Sequence, residues 1–202
     1  MLVSVSTAGA PGTLRVQVWR KLRSLGALYV QQSVCLLPAR AAVVREVRRL
    51  ADRVRHQGGT ARVLRVELLD PDEHAGVIAE LNAARDTEYA DLMERLPAFS
   101  AELEMERARG RASYVEVEEN EADLERFRSW LSKIAGRDYF AAPLGAPARA
   151  AMEAAATELA AFEAEALRRE APAEAGGPGG ESADGNDPAG RGGPQLRVVN
   201  EQ

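Results

Sequence analysis

The chain has 202 residues, with 26 basic and 31 acidic side chains, a net charge of −5, one cysteine and two histidines. That length holds one ordinary domain plus an appendage. It contains no 18-residue apolar run that would make a membrane-spanning helix, and a single thiol rules out an internal disulfide or a cysteine-built metal site. The opening MLVSVSTAGAPG lacks the basic start and long apolar stretch of a secretory signal, so it reads as mature structure and the protein as cytoplasmic.

The modest total conceals a segregation. Residues 1–66 carry 12 basic side chains and two acidic ones, Glu46 and Asp52, a net +10. Residues 67–202 carry 14 basic against 29 acidic, a net −15. Of the basic residues 24 are Arg, which together with abundant Ala, Gly and Pro points to a GC-rich genome and makes the choice of Arg over Lys weak evidence. The scarcity of acids in one third of the chain has no such origin. A region this positive concentrates polyanions, nucleic acid first among them.

In chain order, Leu2–Thr7 alternates and is rich in Val, Ser and Thr, as a strand is. Gly9, Pro11 and Gly12 mark a turn, with Thr13 placed to cap the next helix. Leu14, Val18, Leu22 and Leu25 recur at helical spacing, and Gly26 ends that helix. ALYVQQSVCLLP, bounded by Gly26 and Pro38, is too short for another helix and reads as two strands turning near Gln31-Gln32. In Ala41–His56 the residues Val43, Val47, Leu50 and Val54 fall within about 60° on a helical wheel. Gly58-Gly59 stops it, and Thr60–Leu69 alternates as a fourth strand.

The order βαββαβ is the ferredoxin-like arrangement. The fold class expected is therefore α+β: a basic ferredoxin-like module at 1–70, an acidic helical region packing on it at 71–170, and a disordered Gly/Pro-rich tail at 171–202. Helical segments are expected near 72–84, 86–109, 121–135 and 147–170, starting at Asn120 and stopping at Gly136 for the third. They would cover the sheet's other face or extend as a hairpin. Tyr139, Phe140 and Leu144 read as buried anchors between the last two helices. Trp19, next to Val18, reads as buried against the following helices, with a dimer contact as the alternative.

On the wheel, Arg45, Arg48, Arg49, Arg53 and Arg55 lie opposite the Val/Leu stripe, and Arg20, Lys21 and Arg23 lie away from the core line of the first helix. With Arg15 they form a candidate DNA-binding set, two basic helix faces side by side. Two solvated amphipathic helices in an Arg-rich proteome would leave the same pattern. Catalytic and metal residues are expected to be absent, as are cofactors. His56 and His74 have no metal-ligand spacing, Cys35 sits mid-strand as an inert thiol, and no GxxxxGK[ST] loop occurs. The protein is not expected to be an enzyme.

At RVQVWRKLRSLGALYVQQSVCLLPA, with VSVST upstream and GGTARVLRVELL downstream, the chain resembles the N-terminal region of ChrB, a family of bacterial chromate-resistance regulators. ARDTEYADL at 84–92 and DYFAAPLGAPARAAMEAAATELAAFE at 138–163 resemble later segments of the same family. The resemblance covers about 1–165. It implies a DNA-binding transcriptional regulator, a homodimer on operator DNA, with chromate as inducer. The family usually continues into a second domain, whereas here a Gly/Pro-rich stretch follows. The first block also resembles the small ferredoxin-like nucleases of CRISPR adaptation, which carry a metal-binding Asp at the end of the first strand. Here that end is Ser4-Val5-Ser6-Thr7, without a carboxylate for magnesium. Binding without cutting is the expectation, and a non-catalytic protein–protein module is the alternative.

Overall fold

The computed structural model describes residues 1–110 and 113–170. The tail expected to be disordered, 171–202, lies outside them. The elements in order are β1 (Leu2–Ser6), α1 (Gly12–Ser24), β2 (Leu28–Gln31), β3 (Val34–Leu36), α2 (Ala41–His56), β4 (Thr60–Leu64), α3 (Pro71–Ala108), α4 (Tyr114–Ala135) and α5 (Gly145–Glu170). The molecule is thus mixed α and β, with five helices and one four-stranded antiparallel sheet among the described residues.

The strands lie in the order β2-β3-β1-β4 with every neighbouring pair antiparallel. α1 therefore carries the chain from β1 past β3 to β2, and α2 carries it from β3 past β1 to β4. Val3 stands opposite both Cys35 and Val63, and Val5 opposite Ala61. Strand alternation puts these side chains on one face. There they meet Leu14, Val18 and Leu22 of α1 and Val43, Val47, Leu50 and Val54 of α2 in one core. Across the other face runs a row of four leucines, Leu28, Leu36, Leu2 and Leu64, the last 50% exposed.

α2 has the bounds its apolar period and its Gly58-Gly59 stop predict. β4 is shorter than the expected Thr60–Leu69, because β1 begins at Leu2, opposite Leu64, and offers residues 65–69 no further partner. At the start of α1 the capping position falls to Pro11 rather than Thr13, and no side chain caps it.

The helical half departs further. The two segments expected at 72–84 and 86–109 are one helix, α3, of 38 residues. Asp70 caps it by accepting from the Asp72 amide at 2.8 Å, and Pro71 occupies the first turn, where its missing N–H costs nothing. Pro97 inside it leaves the carbonyl four residues earlier without its helical donor. α4 starts at Tyr114, not near Asn120, because Ser113 Oγ accepts from the Glu116 amide. Asn120 is buried a turn later and donates to the Glu116 carbonyl at 2.8 Å. Gly136 ends α4 as expected.

α3, α4 and α5 build a second core of their own around Tyr89, Leu92, Phe99, Leu124, Ile134 and Phe162. Both cores belong to the compact unit Met1–Ala171. Leu144 packs on the helical core as expected, but Tyr139 packs on the sheet core and Phe140 is 36% exposed, so the loop before α5 anchors to both cores. No helix among the described residues is long and apolar enough to cross a membrane.

Candidate functional site

The outer surfaces of α1 and α2 hold all nine residues of the expected basic set. The two surfaces are neighbours, because Lys21 Nζ of α1 lies 2.7 Å from Glu46 Oε2 of α2. Glu46 also accepts from Arg49 at 2.9 Å. Its carboxyl is held below the ordinary value, first by the hydrogen bond and charge of Lys21 and then by Arg49. Arg55 is occupied as well, donating to Asp52 Oδ1 and to the Ala61 carbonyl, each at 2.9 Å. Arg23 lies 5.2 Å over the ring of Trp19.

That leaves Arg15, Arg20, Arg45, Arg48 and Arg53, all exposed, with no ion pair among the described residues. The set predicted from the wheel thus divides by chemistry. Three members neutralise the only two acids in the region, one stacks on an aromatic ring, and five present uncompensated guanidinium groups. An exposed guanidinium offers a planar fork of donors suited to phosphate oxygens. Trp19 is 47% exposed, not buried: one residue beyond Val18 the helix has turned by about 100°, which carries the side chain off the core line.

Elsewhere the histidines stay apart, and the described residues hold no group of three or more His, Cys, Asp or Glu able to take a metal ion. Cys35 is 1% exposed, and burial pushes its thiol up to about 11, so at neutral pH it is protonated and unreactive.

A second polar cluster, which reading the residues singly misses, joins the two cores. Arg85 is 8% exposed and donates to Glu88 Oε1 at 3.0 Å. Arg137 grips the other oxygen, Glu88 Oε2, through Nε at 3.1 Å and Nη2 at 2.7 Å. Beside them Tyr89 donates to Asp138 Oδ2 at 3.1 Å, and Asp138 Oδ1 accepts from the Ala142 amide at 3.0 Å. Across the boundary Tyr139 donates to the Leu25 carbonyl at 2.8 Å. Arg40 donates to the Tyr139 carbonyl and lies 5.1 Å over its ring.

Gly26 sits at this junction with a φ of +73°, and a β-carbon there would lie 2.7 Å from Arg85 Nη1. Burial lowers the pKa of Arg85, with Glu88 opposing that shift. The arrangement binds the end of α1 to α3 and to the α4–α5 loop, and so fixes where the basic surface stands on the helical half. The signal for it lay in the segments 84–92 and 138–163, which supply Arg85, Glu88 and Tyr89 from one side and Asp138 and Tyr139 from the other.

Comparison with curated proteins and with solved structures gives no match. A family model described as "Protein ChrB, N-terminal" matches residues 15–172, from the first turn of α1 past the end of α5, including the basic helices and the whole of the junction. By that match the chain belongs to the ChrB N-terminal family.

Proposed function

We propose that this chain is a DNA-binding transcriptional regulator linked to chromate resistance, and that it holds operator DNA through phosphate contacts from α1 and α2. The observation that carries this reading is the pair of adjacent helix surfaces with five arginines, Arg15, Arg20, Arg45, Arg48 and Arg53, that have no ion pair among the described residues. The strand order and the two helical crossovers support reading residues 1–70 as a ferredoxin-like module, with the acidic helices at 71–170 as its support. In this proposal the protein works as a homodimer in the cytoplasm, with chromate as inducer, following the family's implied role. It binds without cutting, because the end of β1 offers only the neutral hydroxyls of Ser4, Ser6 and Thr7, which hold a divalent ion poorly.

The test is a titration of the protein with duplex DNA from its own upstream region at several salt concentrations. Each phosphate neutralised contributes about 0.9 to the slope of log affinity against log salt. The triple variant Arg45→Ala, Arg48→Ala, Arg53→Ala is expected to bind all sequences more weakly with a slope flatter by about 2–3. An unchanged slope removes this surface from the function and leaves the protein–protein module as the reading to pursue.

A further inference from the structure

Between α1 and the β2–β3 hairpin lies a groove of about 1000 Å³ that none of the contacts above fills. Its size is at the upper end of the roughly 300–1,000 Å³ usual for small-ligand sites. Two aromatic side chains line it, Trp19 and Tyr29, 47% and 37% exposed, beside Val16, also 47% exposed. Val16, Trp19 and Tyr29 together make an exposed apolar patch around one depression. Its polar lining is neutral: the hydroxyls of Ser6, Thr7 and Ser33 and the amides of Gln31 and Gln32. Among the described residues the one charged group in the lining is Arg15, and no Asp or Glu lines it. Arg23, stacked on Trp19, adds a second cation at the rim.

This combination selects its occupant. A lipid or an apolar peptide would leave the amides and hydroxyls unpaired, and a basic peptide would meet only Arg15 and Arg23. A nucleobase offers a flat π surface for the aromatic rings, edge donors and acceptors for the amides and hydroxyls, and a phosphate for Arg15. We propose that the groove takes one or two unstacked bases of a single nucleic-acid strand, with the adjoining phosphates on Arg15 and Arg23. The inference rests on the nucleic-acid reading above and extends it from backbone contacts to contacts with the bases themselves.

The sequence has two tryptophans, so the full-length Trp130→Phe variant leaves Trp19 as the emitting one. It is titrated with an oligothymidylate of about 12 nucleotides, within the usual footprint of single-strand binders. The same is done with an abasic phosphodiester strand of equal length and with duplex DNA. Oligothymidylate is expected to quench Trp19, and the abasic strand to bind more weakly without quenching. Read by anisotropy of a labelled strand, Trp19→Ala should lose about tenfold or more in single-strand affinity. Trp19→Phe, which keeps a ring, should recover most of it, and both should keep their duplex affinity within about twofold.

Quenching by the abasic strand, or single-strand affinity indifferent to Trp19, overturns the base site while leaving the duplex surface in place. Emission that shifts with protein concentration in the absence of any oligonucleotide gives the groove to a second copy of the chain and overturns it too. Failure of both single strand and duplex to bind overturns the nucleic-acid reading and the groove together.

Discussion

The sheet module and the helical half solve the same packing problem with opposite surfaces. Each closes its own apolar core, one around Val3, Leu14 and Val47, the other around Tyr89, Leu92 and Phe162. The first leaves five of its helix-surface arginines without an acidic partner among the described residues. The second pairs many of its own, as in Arg107 with Glu165 at 3.2 Å and Arg126 with Asp123 at 2.6 Å. A solvent-exposed pair such as Arg126 with Asp123 adds at most about 1 kcal/mol, so it is not needed for folding. The difference teaches that the sheet module presents a surplus of cations, whereas the helical half pairs many of its cations and presents a surplus of carboxylates.

The largest way to break the comparison is to cut the junction between the halves. Glu88→Ala leaves Arg85 buried and uncompensated, and removal of one member of a buried ion pair costs about 3–5 kcal/mol. Equilibrium denaturation should show a loss of that size. If it is under about 1 kcal/mol, the junction is ornamental and the two cores stand independently.

Next in size is a test of cooperativity. Leu14→Ala removes a fully buried side chain from the sheet core and should cost about 2–5 kcal/mol. Because Trp19 belongs to the sheet module and Trp130 packs on the helical core, single-tryptophan proteins report each half separately. Both transitions should shift together. Movement of the Trp19 transition alone would split the molecule into two folding units.

Gly26→Ala is expected to cost less, about 1–2 kcal/mol for the left-handed backbone, plus the displacement of Arg85 that a new β-carbon demands. Thermal melts of this variant beside Glu88→Ala show whether the two act on one structure, since effects on a shared cluster do not add.

The smallest effect is on pH dependence. Burial raises the Cys35 thiol to about 11, so between about 9 and 11 the unfolded chain releases a proton that the folded chain retains. The thiol's contribution to stability is therefore complete below about pH 9 and declines as pH rises toward 11. Native protein should resist iodoacetamide at pH 8 and react once denatured, and Cys35→Ser should remove this part of the alkaline slope. Fast alkylation of the native form would mean that the floor of the sheet core opens.

How much of this was legible in the sequence depends on the range of the interaction. α2 could be read to the residue because its stripe, Val43, Val47, Leu50 and Val54, and its stop at Gly58-Gly59 are all local. β4 was read too long, because alternation through Val66 and Leu68 persists after the partner strand has ended. α3 reads as two segments meeting near Arg85, a polar residue in the apolar pattern, yet Ala84-Arg85-Asp86 contains no Gly or Pro to stop the helix, and Arg85 is buried beside Gly26. All nine basic residues lie on the outer sides of α1 and α2, but the neutralisation of Lys21 by Glu46 depends on two helices meeting. The grip of Arg137 on Glu88 spans 49 residues, and the resemblance to a family covered Glu88 but began its later segment at Asp138, one residue beyond Arg137.

The end of α2 has one more consequence. Gly59 follows the basic helix, and a β-carbon there would lie 2.7 Å from Val54 Cγ1 and 2.8 Å from the Ser6 carbonyl. Ser6 ends the central strand and lines the groove beside α1, so this single position wedges the basic surface against the groove. Every missense change of one base in a glycine codon introduces a β-carbon. Any such change at Gly59 therefore has to displace Val54 or the end of β1, so the cost of a substitution here falls on the backbone beneath the basic surface rather than on the surface itself.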